Sequence, residues 1–200
     1  MSDQFHFAPG RWDPAAFAYV YSPLCRRFPR FHQAEDGIEN RPEAESGRFE
    51  YISMVTKKRY PAGTILRTRC RFAHYGAPLI VLTDDIRREA DAPARYGLHF
   101  EIVAYEGGVN VWRLIPEGTS VRPENIARLH FPVTEGEPHT LTVRTLPEAL
   151  AVSLDPSAAD GSVYTVPTAG LPRQFHAGVT ACEGIDRFFD FEAREPAGED

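Results

Sequence analysis

The chain has 200 residues, a composition that is 42% hydrophobic and 12% aromatic, and a formal net charge of −6. This apolar content is enough for a hydrophobic core and excludes an intrinsically disordered protein. The negative charge argues against a nucleic-acid-binding protein, which needs a basic surface. At this length we expect a single folded domain over residues 1–195, followed by a disordered tail over residues 196–200.

The sequence gives no indication of export or membrane insertion. The first residues lack the basic segment and apolar core of a signal peptide, and no apolar run approaches the roughly 20 residues of a membrane span. Cys25, Cys70 and Cys182 are far apart and show no zinc-type spacing. We therefore expect free thiols and a cytoplasmic location, with no metal, no cofactor and no membrane partner.

Short runs of β-forming residues, separated by Gly, Pro and Asp, follow one another along the chain. Only residues 84–94 could form one or two helical turns, which Pro93 would end. Thirteen strands in one domain favour two large packed antiparallel sheets over a small barrel. Strands are predicted near residues 17–22, 30–34, 48–56, 64–73, 78–83, 97–105, 109–115, 127–132, 139–145, 149–154, 162–166, 174–182 and 187–193.

The run over residues 64–73 shows how such a sheet is encoded. Thr64, Leu66, Thr68, Cys70 and Phe72 alternate with Ile65, Arg67, Arg69 and Arg71, so one face is mostly core and the other carries three arginines. These arginines could receive an acidic sugar, or they could be solvated residues of an outer strand. The next run, "PLIVL", is apolar throughout and predicts a central strand that is buried on both faces.

A β-hairpin is predicted over residues 97–114, "GLHFEIVAYEGGVNVWRL". A two-residue turn at Gly107 and Gly108 would place Tyr105 opposite Asn110, because such turns need positive φ angles. Directly paired residues share a face. One face then holds His99, Glu101, Val103, Tyr105, Asn110, Trp112 and Leu114, and the other holds Phe100, Ile102, Ala104, Val111 and Ile115 with Arg113.

The first of these faces carries an unusual mixture of groups for a plain sheet surface. An indole ring can stack on the C–H groups of a pyranose, and carboxylate, imidazole and amide groups can hydrogen-bond its hydroxyls. The alternative is that Trp112 packs under a loop and that His99 and Glu101 are solvated decoration. The ligand hypothesis assigns Trp112, His99, Asn110 and Tyr105 to substrate binding.

A second polar cluster lies at residues 31–40, "FHQAEDGIEN". Its side chains could reach over the rim of the sheet to a ligand, or they could form an exposed turn around Gly37. His32, Gln33 and Asn40 are the substrate-binding candidates of this segment.

Three further features carry weaker indications. Asp84 and Asp85 end a buried strand, a place where Ca²⁺ can bind, but two adjacent carboxylates are not a full ligand set. Cys182 has no accompanying His-containing motif and fits a small core residue better than a nucleophile. Glu183 precedes a Gly turn and could be an acid or a base, or a solvated rim carboxylate.

The strand pair at residues 97–114 and the late pair "FHAGVTACEGIDRFFDFEA" at residues 175–193 together resemble the concanavalin A-like lectin/glucanase superfamily. The resemblance covers residues 12–193 and is one of overall pattern. The E-x-D-x-x-E catalytic strand of laminarinase-type members and the strand motifs of alginate-lyase relatives are absent, so no catalytic residue is carried over. The resemblance implies a concave sheet face that contacts carbohydrate.

The sequence thus predicts an all-β, two-sheet antiparallel jelly-roll sandwich with a carbohydrate partner and no nucleic-acid partner. If the protein is a glycoside hydrolase, Glu101 is the catalytic candidate, and Asp84, Glu39 or Glu183 would supply the second carboxylate. A non-catalytic, lectin-like module that uses the same face is the alternative. A closed pocket for an apolar small molecule is a third hypothesis.

Overall fold

The computed structural model describes residues 1–22, 28–41, 50–88, 93–155 and 162–197. Cys25 and residues 198–200 of the predicted tail lie outside these ranges. One 3-10 turn spans Pro14–Ala16, and no helix in the described ranges has the length and apolar character to cross a membrane. The strands are β1 (Ser2–His6), β2 (Phe17–Val20), β3 (His32–Gln33), β4 (Ile38–Glu39), β5 (Tyr51–Thr56), β6 (Tyr60–Pro61), β7 (Ile65–Ala73), β8 (Leu79–Thr83), β9 (Ile86–Arg87), β10 (Arg95–Tyr96), β11 (His99–Tyr105), β12 (Gly108–Glu117), β13 (Ser120–Leu129), β14 (His139–Leu146), β15 (Ala149–Leu154), β16 (Tyr164–Pro167), β17 (Gln174–Cys182), β18 (Ile185–Phe188) and β19 (Asp190–Arg194).

The strands form two large antiparallel sheets. The front sheet has the order β13-β12-β11-β8-β17-β5-β2, with β6 paired to one end of β17. The back sheet has the order β16-β15-β14-β7-β18-β4-β3, and β19 joins β7 to β1. The predicted two-sheet antiparallel sandwich is therefore confirmed.

The main core lies between the two sheets and follows the predicted alternation. In β7, Leu66, Thr68, Cys70 and Phe72 are buried, whereas Arg67 and Arg69 point to solvent. All of β8 is buried, and it pairs with β11 on one side and β17 on the other, so it is the predicted central strand.

A second apolar cluster lies on the outer face of the front sheet, away from the main core. Its buried members are Val20, Val55, Leu79, Val81 and Tyr96. Tyr96 belongs to the β9–β10 hairpin, and its hydroxyl hydrogen-bonds the Ser53 hydroxyl of β5. The hairpin therefore covers part of the outer face and leaves the rest open. The predicted helical turns in this region are wrong, because Ile86–Arg87 is a strand; residues 89–92 lie outside the described ranges.

The front sheet ends at β13, which is much longer than the strand predicted over residues 127–132. It starts at Ser120, contains Pro123, and pairs with β12 through a register shift between Val111 and Trp112. The Pro and the charged residues of "SVRPENIARL" hid this strand from sequence patterns, because Pro is compatible with a strand mainly at a sheet edge.

Candidate functional site

The β11–β12 hairpin has a different turn from the one predicted. Tyr105 pairs with Gly108, and the two loop residues are Glu106 and Gly107, so the predicted Tyr105–Asn110 pair is wrong. Gly108 has φ +128°, and a Cβ atom there would lie 2.1 Å from the Leu129 carbonyl oxygen. Both the close approach of β13 and the positive φ therefore require glycine at this position.

The predicted division into two faces survives this change, because the pairing shifts by two residues in total and the side-chain period is two. Phe100, Ile102, Ala104, Val109 and Val111 face the main core and are fully buried. The residues of the other face line a cavity of about 470 Å³ on the outer face of the front sheet. We call this cavity the front pocket; its lining includes Tyr51, Leu79, Glu101, Val103, Tyr105, Asn110, Trp112, Leu114, Pro123, Cys182 and Glu183.

Trp112, Tyr105 and Asn110 form one wall of the front pocket. All three side chains are half-buried. The Asn110 Oδ1 atom is shielded from solvent and has no hydrogen-bond partner among the described residues. A shielded acceptor without a donor is energetically costly, so this amide favours a donor from a bound molecule.

Glu101 has a strongly perturbed pKa. Its side chain is buried, and burial raises the pKa of Glu101 to about 8. The Tyr51 hydroxyl donates a hydrogen bond to Oε1, and no Lys or Arg of the described residues forms an ion pair with it. At neutral pH Glu101 is therefore a neutral carboxylic acid.

His99 lies beside Glu101, with its Nε2 atom 3.5 Å from the Glu101 Oε1 atom. Burial lowers the pKa of His99 to about 4. Its Nδ1 lies 3.1 Å from the Gly97 carbonyl oxygen and donates to it, because a carbonyl can only accept. The Nε2 atom of the neutral ring is then an acceptor facing Glu101, and the pair carries no net charge at pH 7.

Of the three possible partners of Glu101, the structure brings only Glu183 into the front pocket. Glu183 is exposed in the turn between β17 and β18, where its φ is +66°. Glu39 lies in the back sheet and pairs with Arg187 and Arg41. Asp84 follows β8 at the end opposite Leu79 and does not line the pocket.

The structure does not bring His32, Gln33 and Asn40 to the front pocket. His32 and Gln33 form β3 at the edge of the back sheet, and the Gln33 amide donates to the carbonyls of Phe7 and Gly37, both at 2.7 Å. Asn40 is fully buried and its amide donates to the Gly184 carbonyl at 3.0 Å. Asn40 thus holds the turn that carries Glu183, and its contacts are structural.

Sequence reasoning missed Tyr51 and Leu79 as pocket residues. Each lies in a strand that is buried on both faces, so no alternation marked the pocket side. Tyr51 comes close to Glu101 only because β5 pairs with β17 and β17 with β8. No local sequence signal predicts that order.

No cluster of three or more His, Cys, Asp or Glu side chains in the described ranges is arranged to hold a metal ion. Asp84 and Asp85, the weak Ca²⁺ candidates, follow β8 as predicted. Arg67 and Arg69 lie on the outer face of the back sheet, away from the front pocket.

Comparison of the fold with known structures gives many strong matches, although no protein-family model and no curated protein sequence matches the chain. The exoplasmic/lumenal domain of VIP36, with Ca²⁺ and Man3GlcNAc bound, superposes with a TM-score of 0.62 at 12% identity, covering 98% of this chain and 90% of that chain. The carbohydrate-binding module CBM66 from Bacillus subtilis has a TM-score of 0.60 at 11% identity, covering 86% and 91%.

A third structure is Rv0315 of Mycobacterium tuberculosis, described as an immunostimulatory antigen and pseudo β-1,3-glucanase. Its TM-score is 0.57 at 15% identity, and the match covers 98% of both chains. All three share the two-sheet sandwich fold of this chain. The chain has the fold of the concanavalin A-like lectin/glucanase superfamily.

Proposed function

We propose that the protein recognises a carbohydrate in the front pocket. The observation that carries the proposal is the convergence of an indole, a phenol, an unsatisfied amide and a neutral buried carboxyl group on one cavity of about 470 Å³. Pockets of this size that combine apolar walls with a few polar groups are typical ligand sites. Two proteins of the same fold, CBM66 and the VIP36 domain, are a carbohydrate-binding module and a domain solved with Man3GlcNAc.

Each group has a distinct task in this proposal. Trp112 presents its ring to the C–H face of a sugar, a contact worth roughly 1–3 kcal/mol by its area and ring geometry. Asn110 accepts from a hydroxyl that satisfies its Oδ1 atom. Glu101, being neutral, both donates a proton and accepts a hydrogen bond, as hydroxyl-rich ligands require.

Binding is tested by a glycan array followed by calorimetry on the best ligand. We expect Trp112→Ala to weaken binding at least tenfold and to leave the melting temperature within a few degrees of wild type. Trp12→Ala is the matched control, because Trp12 is also partly buried but packs edge-on against Phe7 and Phe17 at the margin of the core. That variant should lose stability, by less than the roughly 3–5 kcal/mol of a fully buried Trp, and retain affinity in its folded fraction. A sharp loss of stability for Trp112→Ala with unchanged affinity would contradict the site.

Hydrolysis of a glycoside is a second candidate function. A carboxyl group that keeps its proton at neutral pH meets the requirement for a general acid, and Glu101 is such a group. Glu183 places a second carboxylate on the wall of the same pocket. Two carboxylates that flank the scissile bond are the usual machinery of glycosidases.

Turnover is tested with chromogenic glycosides and the variants Glu101→Gln and Glu183→Gln. A hydrolase should lose at least about 100-fold in kcat in each variant while its affinity changes little. A binding module should show no turnover in the wild type, and its affinity should change only modestly in Glu101→Gln. Glu135→Gln provides a control, because Glu135 does not line the front pocket.

We also propose a cytoplasmic location. Cys70 supports it, because its thiol is fully buried in the core and forms no disulfide.

A further inference from the structure

A second, smaller cavity adjoins the front pocket on the same face of the front sheet. It has a volume of about 60 Å³ and is lined by Tyr21, Arg87, Arg95, Tyr96, His99 and Pro116, among others. Along β11, Glu101 lines the front pocket and His99 lines the smaller cavity. Along β12, Leu114 lines the front pocket and Pro116 lines the smaller cavity. Two residues of a strand span about 7 Å, so the two cavities are neighbours on this face, and we call them together the groove.

The smaller cavity is unusual because two neighbouring arginines line it. Arg87 and Arg95 are direct cross-strand partners in the β9–β10 hairpin. Like charges in this position destabilise a strand pair. Neither arginine has an ion-pair partner among the described residues, and none of the described residues that line the cavity is a carboxylate. The hairpin thus places two positive charges side by side, and no described carboxylate lines the cavity or forms an ion pair with them.

The side chain of Arg95 also has an N–H group that lacks a hydrogen-bond acceptor in the described part of the chain. Its Nε atom is shielded from solvent and has no acceptor among the described residues. The guanidinium carbon lies 5.6 Å from the centre of the Tyr21 ring, which holds the group over the cavity. A shielded N–H donor without an acceptor favours an acceptor from a ligand.

We propose that the smaller cavity is an anion subsite, and that the protein prefers an acidic oligosaccharide whose carboxylate or sulfate group lies between Arg87 and Arg95. The inference rests on the proposed function, since the remaining rings of the oligosaccharide would lie in the front pocket against Trp112. Arginine suits this task because its planar donors match carboxylate and sulfate oxygens in pairs.

The surroundings of the subsite favour an anion. His99 and Glu101, which separate the two cavities, are neutral at pH 7 because burial lowers the pKa of His99 and raises the pKa of Glu101. Burial also raises the pKa of Asp84, and the charge of Arg87 partly opposes this effect. The arginines of β7 cannot serve the groove, because they lie on the back sheet, where Arg69 stacks over Phe189 at 4.8 Å.

The test is an array of matched oligosaccharide pairs. Each uronic acid oligosaccharide is paired with its methyl ester, and each sulfated oligosaccharide with its desulfated parent, so the two arms distinguish carboxylate from sulfate. We expect the wild type to bind the acidic member of the best pair at least tenfold more tightly at low salt, with the preference reduced by added salt. Arg95→Gln and Arg87→Gln should each reduce that preference at least fivefold.

Arg67→Gln is the matched control, since Arg67 is exposed on the back sheet, and it should retain the full preference. Melting curves confirm that the variants are folded, and Arg87, which is exposed, is the safer of the two positions. Equal binding of acidic and neutral members by the wild type would overturn the anion subsite and leave carbohydrate recognition intact. Binding of no saccharide at all would overturn the proposed function itself and the subsite with it.

Discussion

Two buried glutamates, one in each sheet, differ in their partners. Glu39 of the back sheet and Glu101 of the front sheet are 8% and 6% exposed. Burial acts to raise the pKa of Glu39, but hydrogen bonds from Arg187 and Arg41 outweigh it and lower the pKa. Glu101 has only a neutral hydroxyl donor, and burial raises its pKa to about 8. A buried glutamate thus forms a structural ion pair in the back sheet, whereas the one in the front sheet is a neutral acid at pH 7.

The charge of Glu39 stabilises the fold, whereas the neutral carboxyl group of Glu101 lines a cavity, where the proposed function assigns it to a ligand. The ion pairs of Glu39 tie β4 to β18 across the back sheet. Glu101 forms no such ion pair with a Lys or Arg of the described residues, because the side chains around it in the front pocket are mostly apolar or uncharged. A group that costs stability and faces a cavity fits function better than architecture.

The largest expected effect is the loss of the Glu39 ion pair. Glu39→Gln leaves Arg187 without its nearest carboxylate, so we expect the free energy of unfolding to fall by about 2–3 kcal/mol. This is less than the roughly 3–5 kcal/mol expected for a fully buried pair, because Arg187 keeps some solvent contact. Glu101→Gln should cause no loss of stability at pH 7, because the amide replaces a neutral acid of the same shape and, unlike that acid, does not ionise in the unfolded state. Urea unfolding measures both, and equal losses would abolish the contrast.

The pH dependence of stability sharpens the contrast. Glu101 keeps its proton to about pH 8 when folded but loses it near its ordinary value of 4.5 when unfolded. The folded state therefore binds the extra proton between these values, and the stabilisation present below pH 4.5 is lost as the pH rises to 8.

His99 has the opposite sign, but its contribution is complete above its ordinary pKa of 6.5. Between pH 6.5 and 8 the wild type should therefore lose about 2 kcal/mol relative to Glu101→Gln, at roughly 1.4 kcal/mol per pH unit. Urea unfolding at both pH values measures the difference. Parallel pH profiles for the two proteins would show that Glu101 is ionised in the folded state.

A smaller effect is expected from Tyr51→Phe. The Tyr51 hydroxyl donates to the Glu101 carboxyl group, and such a bond favours the charged form. Its removal should raise the pKa of Glu101 further, by up to about one unit, or roughly 1.4 kcal/mol. Carbon-13 NMR titration of the glutamate carboxyl groups measures the shift. The control is Tyr75→Phe, because Tyr75 is exposed and lies outside the front pocket. A fall in the Glu101 pKa would contradict the assigned contact.

No change at all is expected in the mass of the alkylated cysteines when the protein is reduced first. Alkylation of the unfolded protein with and without prior reduction should give the same mass, because we expect all three thiols to be reduced. Cys70 lies in the core between the sheets, where burial raises its pKa and shields it from reagents in the folded state. A mass difference of two blocked thiols would contradict the cytoplasmic proposal.

The sequence predicted the long strands well because their information is local. Alternation marked the two faces of β7 and β11, and the uniformly apolar β8 was recognised as central. The face shared by Glu101, Asn110 and Trp112 was also correct, since it depends only on the two-residue period.

The remaining features depend on contacts that are distant in sequence. The choice of Glu183 over Asp84 and Glu39 as the second carboxylate of the pocket follows from the position of the β17–β18 turn relative to β11. The turn residues were misassigned because Gly108 serves the neighbouring strand β13. The two-residue strands β9 and β10 are too short to show any period, so the hairpin that divides the groove could not be predicted.

The edge strand β13 has a consequence for how copies of this protein behave in concentrated solution. An exposed edge invites strand addition from another molecule, which is the first step towards fibrous aggregation. Pro123 removes a backbone donor from this edge, the register shift beside Trp112 disturbs its regularity, and Arg122 and Glu124 add charge. The strand that contributes Pro123 to the front pocket thus carries several features that disfavour edge-to-edge pairing of two copies.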